Sequence, residues 1–184
     1  MPRRSSSRTT PIRLDRLSPV DDEGRVRVVL ESPQGSRNKL KYEPDSDSFS
    51  VSASLPAGMA FPFDFGFFPG TRAEDGDPLD ALVIMDAPAY PGVTVPVRLL
   101  GVIEAEQSDD GEPPYRNDRL IAVAEGSTER GELRRLSDLD DALLTQIETF
   151  FATYDELTGK VFKPIARRGP QRARKLLDSA TRPG

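Results

Sequence analysis

The stretch TRAEDGDPLDALVIMD, residues 71–86, begins as an acidic loop and ends as an apolar run. Gly76 and Pro78 interrupt regular structure in its first half, whereas ALVIM, residues 81–85, has the length and continuity of a buried strand. Three carboxylates, Asp75, Asp77 and Asp80, therefore crowd the point where a loop becomes a strand. In a partly buried setting their mutual repulsion raises their pKa values unless a cation offsets it. The stretch reads either as a solvated acidic turn or as a cation site. With no histidine and no cysteine in the chain, an all-oxygen site selects a hard ion such as Mg2+ over Zn2+. An EF-hand loop also opens D-x-D, but its sixth position here is Asp80 instead of glycine and its twelfth is Asp86, which excludes it.

Sheet-forming patterns surround this stretch. RVRVVLE, residues 25–31, alternates and is β-branched; short strands are expected at 39–43 and 48–53. MAFPFDFGFF, residues 59–68, places Phe61, Phe63, Phe65 and Phe67 at period two, as a core strand interrupted at Gly66. Two more strands follow, TVPVRLLGVIEAEQ at 94–107, with a bend expected at Gly101, and RLIAVAE at 119–125. Helix signals come last. Ser137 is the expected N-cap, and Leu139, Leu143, Ile147, Phe150 and Tyr154 form a core-facing stripe. Pro170 opens a final helix over about 170–181. Strands followed by two helices predict an α+β fold with a small closed antiparallel β-barrel.

The 184 residues suit one domain, read as 23–184 after a disordered basic arm at 1–22. No run of about 18 apolar residues is present, so no membrane span is expected, and a cytoplasmic location is the default. Charge is segregated. Residues 1–20 carry +4 and residues 163–184 carry +6, so with a total of −5 the middle holds −15. Nucleic-acid binding is not expected, because the centre is acidic and no aromatic residues interleave with the basic ends. Without histidine or cysteine, acid–base chemistry rests on carboxylates, lysine, tyrosine or metal-activated water.

The segment EDGDPLDALV, preceded by FPFDFGFFPG and, further upstream, by ESPQGSRNKLKYE, closely resembles the soluble family I inorganic pyrophosphatases, whose signature is D-x-D-P-hydrophobic-D. The resemblance extends over about residues 25–165 through GVIEAE, RLIAVAE and IETFFATYDELTGK in the expected order. It implies an OB-like barrel flanked by two helices, a homo-oligomer that is commonly a hexamer, and Mg2+-dependent hydrolysis of pyrophosphate to two phosphates. It further implies that Asp75 and Asp80 hold metal, that Asp77 holds or deprotonates the attacking water, and that Asn117 falls on a further metal position. Glu31 and Lys39 match the family's acidic and phosphate-binding positions, Arg119 its lysine, and Tyr154 its phosphate-contacting tyrosine.

Elsewhere the chain departs from the family. Lys41 stands at a glutamate position, Ala53 at an arginine, Phe61 and Phe65 at two tyrosines, Gln107 and Asn117 at two aspartates, and Asp155 at a lysine. Asp109 or Asp110 is a candidate replacement for the carboxylate missing at Gln107, while Asp118, one residue from Asn117, points to the opposite strand face. Lys41, Lys160, Arg167 and Arg168 are candidates to restore the lost positive charge, Arg168 because it precedes a helix N-terminus. The alternatives are a non-catalytic relative that binds a phosphorylated ligand and a hydrolase of a larger phosphoanhydride.

Overall fold

The computed structural model describes residues 13–109 and 112–182. Strands β1 (Val26–Ser32), β2 (Asn38–Glu43), β3 (Ser48–Ser54), β4 (Asp64–Phe67) and β5 (Asp80–Ile84) precede the long β6 (Thr94–Asp109). Then come β7 (Tyr115–Arg116), β8 (Arg119–Ala124), helix α1 (Asp141–Leu157), β9 (Lys160–Arg168) and helix α2 (Pro170–Ala180).

The main sheet runs β1-β4-β5-β8-β6, and β6 pairs back onto β1 to close a five-stranded ring. The OB-like expectation holds. One pairing differs from the antiparallel expectation: β5 and β8 are parallel, with Ala81 opposite Leu120 and Val83 opposite Ala122. β2 and β3 form a separate antiparallel hairpin.

Alternation in β5 explains its unbroken apolar sequence. Leu82 and Ile84 pack with α1 residues Leu144, Ile147 and Phe151, whereas Ala81 and Val83 pack with α2 residues Ala173 and Leu177. Each face of the strand is therefore buried, which removes the polar positions of a half-solvated strand. β6 bends at the expected glycine. Its register with β8 shifts between Leu99 and Gly101, and Gly101 has φ +156°. A Cβ there would stand 2.2 Å from the Arg168 carbonyl oxygen, so the bend also lets β9 approach.

Four expectations are corrected. Residues 1–12 of the expected arm lie outside the described residues, but 13–22 are ordered. A 3₁₀ turn at Leu14–Arg16 is tied down where the Leu14 N–H donates to the Tyr42 hydroxyl at 3.3 Å and the Gly70 N–H to the Asp15 carbonyl at 3.0 Å. The α1 N-cap is Asp140, whose carboxylate accepts from the Ala142 N–H at 2.8 Å; Ser137 sits in a separate 3₁₀ turn. The helix stripe is wider than expected: Leu139 and Ile147 are buried and Leu143, Phe150 and Tyr154 pack against the same core, but Leu144, Phe151 and Asp155 are buried as well. β9 is a nine-residue strand absent from the sequence reading; it pairs with β6 and absorbs Pro164 at a register shift. Among the described residues no helix is long and apolar enough to cross a membrane.

Candidate active site

The acidic loop is built by its own backbone. Gly76, at φ +89°, allows the turn in which the Ala73 N–H donates to the Asp77 carbonyl at 2.7 Å. The buried Thr71 hydroxyl donates to the Phe68 carbonyl at 2.6 Å and accepts from the Leu79 N–H at 2.9 Å, clamping the loop at the mouth of β5. The Asp77 N–H donates to Asp75 Oδ1 at 3.0 Å. Asp75, Asp77 and Asp80 are thereby presented to one cleft of about 520 Å³.

The opposite walls come from β1, β2, the link from β7 into the start of β8, the end of α1 and the start of β9. They bring Glu31, Lys39, Lys41, Asn117, Arg119, Tyr154 and Lys160 to the same cleft. Nearly the whole predicted set is therefore together. Arg168 is the exception. Its Nε donates to Glu104 at 3.3 Å, Arg172 binds the same carboxylate at 2.8 Å, and Arg168 does not line the cleft. The buried Glu104 on β6 holds Arg168 in a structural ion cluster. Arg167 is also committed elsewhere, to Glu148 and Asp141 on α1.

Within the cleft, cations of the chain answer its acids. Lys41 Nζ stands 3.1 Å from Asp77 Oδ2, while Lys160 Nζ stands 3.0 Å from Asp109, which is not among the lining residues. Arg119 Nη1 donates to both Asp80 Oδ2 and Asn117 Oδ1. Asn117, expected as a metal ligand, has the other end of its amide engaged too, with Nδ2 donating to Gln107 Oε1 at 2.7 Å. Gln107 Nε2 in turn donates to the Tyr115 hydroxyl at 2.8 Å. Tyr115 lines the cleft and was not singled out from the sequence, where PPYRND reads as a plain polar loop. Asp118 turns away, accepting from the Ala105 N–H and from Arg116, as its strand offset predicts. Asp110 lies outside the described residues.

Burial sets the protonation of the acids. It pushes the Glu31 carboxyl up to about 7, against the 2.7 Å hydrogen bond from the Tyr42 N–H. Asp75 is raised by burial, with Asp77 and Asp80 adding like-charge repulsion. Asp155 is raised by burial as well; its Oδ2 is buried with no partner among the described residues, and the residue lines the cleft. Aromatic rings replace hydroxyls along one wall. Phe61 and Phe65 stand 5.6 Å apart between ring centroids, and Lys39 Nζ lies 5.2 Å over the Tyr154 ring.

Among the described residues no three Asp, Glu, His or Cys side chains are grouped closely enough to hold a metal alone. Mg2+ does not need such a cage, since it commonly takes one or two carboxylates and completes its shell with water and substrate phosphate. The acids that repel one another at Asp75, Asp77 and Asp80 fit that pattern.

Residues 28–182 match the family described as inorganic pyrophosphatase. The inorganic pyrophosphatase of Thermus thermophilus is 36% identical over 153 residues, covering 82% of this chain and 85% of that protein. That of Synechocystis is 33% identical over 148 residues, covering 80% and 85%. A crystal structure of inorganic pyrophosphatase from Thermus thermophilus superposes with a TM-score of 0.84 at 32% identity, covering 92% of this chain and 97% of that one. One from Neisseria gonorrhoeae gives 0.79 at 33% identity, covering 90% and 94%.

Proposed function

The chain belongs to the inorganic pyrophosphatase family, and from that membership we propose that it hydrolyses pyrophosphate to two phosphates in the cleft around Asp75, Asp77 and Asp80. The observation that carries this reading is the meeting of the D-x-D-P-L-D acids with Lys39, Arg119 and Lys160 in one cleft.

Asp75 and Asp77, beside the Arg119-paired Asp80, would hold Mg2+, which when bound neutralises the polyanion and lowers the pKa of water. The chain's own residues do the rest. Asp77, whose side chain is 60% exposed, is the acid placed to take a proton from attacking water. The water oxygen bonds to one phosphorus, the bridging P–O bond breaks, and its electron pair leaves with the second phosphate. Lys39, Lys160 and Arg119 bind phosphoryl oxygens, Tyr154 supports Lys39 from beneath, and Lys41 is free to turn to substrate once it leaves Asp77. Glu31 anchors the hairpin that carries both lysines, through its bond from Tyr42. Self-association belongs to the same reading; Val161 and Ile165, 63% and 48% exposed on β9, are apolar residues that such a contact would cover.

The test is phosphate release from pyrophosphate, longer polyphosphates and nucleotides with Mg2+ and Mn2+. Asp77→Asn is expected to lower turnover about 100-fold or more, because it removes both a general base and a carboxylate that would hold the metal. A pure, folded wild-type protein inactive on the whole panel would sink the proposal. The ion pairs Lys41–Asp77 and Arg119–Asp80 favour one second reading, a non-catalytic relative that binds a phosphorylated ligand. It predicts thermal stabilisation by pyrophosphate without turnover, and steady phosphate release would count against it.

A further inference from the structure

The two cations that face the acidic loop differ in kind. Lys41 makes one bond to Asp77 from a side chain that is 47% exposed, and a flexible stem lets it leave. Arg119 is 6% exposed, and its guanidinium carbon lies 4.9 Å from the Phe151 ring centroid and 5.4 Å from that of Phe162. Its Nη1 is bonded to Asp80 and Asn117, and its Nε is buried with no partner among the described residues. Asn117 cannot swing away without breaking its bond to Gln107, nor Gln107 without breaking its bond to Tyr115. A hydrogen-bonded chain of Tyr115, Gln107, Asn117 and Arg119 thus ends on Asp80 and locks a positive charge against it.

We infer that Arg119 is a resident cation that occupies Asp80 and Asn117 in place of a divalent ion, so that the apo cleft loads one divalent metal, on Asp75 and Asp77. The physical reason is local. A second divalent ion beside Asp80 would face a fixed guanidinium in partly desolvated surroundings, where like charges repel strongly, and the two amides at 107 and 117 supply no negative charge to offset it. Lys41 can yield its carboxylate to metal; Arg119, buried and packed against the adjacent rings of Phe151 and Phe162, cannot. The inference rests on the metal reading above.

The test counts Mn2+ ions bound to the full chain by electron paramagnetic resonance, without phosphate and without turnover. Wild type is expected to saturate at one ion per chain, and Asp77→Asn to lose it. Arg119→Gln, which removes the charge and keeps polar volume, is expected to gain a second ion, whereas Arg119→Lys stays at one. Two ions in wild type, or one ion in a folded Arg119→Gln, would overturn the inference and leave the metal reading standing. No bound ion in wild type would overturn both. Should Arg119→Gln not fold, Asn117→Asp serves instead. With Arg119 in place it is expected to remain at one ion, and a second ion would overturn the inference.

Discussion

Asp80 and Arg119 stand at the same level of two parallel strands, each one residue ahead of the registered pair Ala81 and Leu120, and their side chains meet in an ion pair. The single parallel pairing of the ring therefore sets the contact that lies at the floor of the cleft. Removing one partner of a buried pair leaves the other charge uncompensated, at a cost of about 3–5 kcal/mol. Arg119 is the more buried partner, at 7% side-chain exposure against 25% for Asp80. Arg119→Met, which removes the charge outright, is expected to lower unfolding stability by roughly 2 kcal/mol or more, because Asp80 keeps some solvent. Asp80→Asn, which leaves the guanidinium buried, is expected to cost at least as much. Urea titrations of both variants check the order.

Lys41→Gln tests whether the Lys41–Asp77 pair competes with metal. The pair is about half exposed, so its loss is expected to change stability by less than about 1 kcal/mol. Freed of its lysine, Asp77 is expected to bind Mn2+ severalfold more tightly in a calorimetric titration. Unchanged affinity would mean that Lys41 does not hold the carboxylate in solution.

Glu31 makes stability depend on pH. Its folded pKa of about 7 lies above the ordinary 4.5, so between those values the native state binds the extra proton. Stability contributed by the neutral acid is complete below about 4.5 and falls as pH rises through the window to about 7, by on the order of 3 kcal/mol. Glu31→Gln keeps the acceptor for the Tyr42 N–H and is expected to flatten that part of the profile. Denaturation midpoints of both proteins in chelator across the same pH range decide it; parallel profiles would clear Glu31.

Ala53 lies directly opposite Lys39 in the β2–β3 register, on the same hairpin face. Ala53→Arg would therefore add a guanidinium beside a lysine that already lines the cleft. Pyrophosphate affinity, measured with Asp77→Asn in both backgrounds to prevent turnover, is expected to rise about tenfold, the worth of one charge-assisted bond. No rise would place the substrate away from the hairpin.

The elements legible from the sequence are those whose signal is local. ALVIM and RLIAVAE are apolar runs bounded by turn residues, and both became buried strands at the expected places. The Asp140 cap was missed because SDLDD offers several capping oxygens within a few residues, and Asp138 is taken by the preceding 3₁₀ turn, where it accepts from the Arg134 and Arg135 N–H groups. β9 was hidden by its composition: KVFKPIARR contains a proline and four cations, and of its bulky apolar residues Phe162 is buried while Val161 and Ile165 are exposed. The membership of the site was largely legible through the D-x-D-P-L-D motif and its surroundings. Its internal pairing was not, because Lys41 meets Asp77 across 36 residues and Arg119 meets Asp80 across 39. Arg168 was misplaced for the same reason, since Glu104, which holds it, is 64 residues away.

The sixteen-residue β6 pairs in turn with β1, β8, β9 and β7, so it serves as the shared seam of the whole sheet. During synthesis its Val102–Asp109 half emerges long before β9, its later partner at Lys160–Arg168. Until then a long strand with buried-type residues keeps an open edge, which other chains can pair with. A nascent chain stalled between these two strands is thus a seed for aggregation, and its survival depends on how quickly residues 110–159 and then β9 follow, or on a chaperone that covers β6 meanwhile.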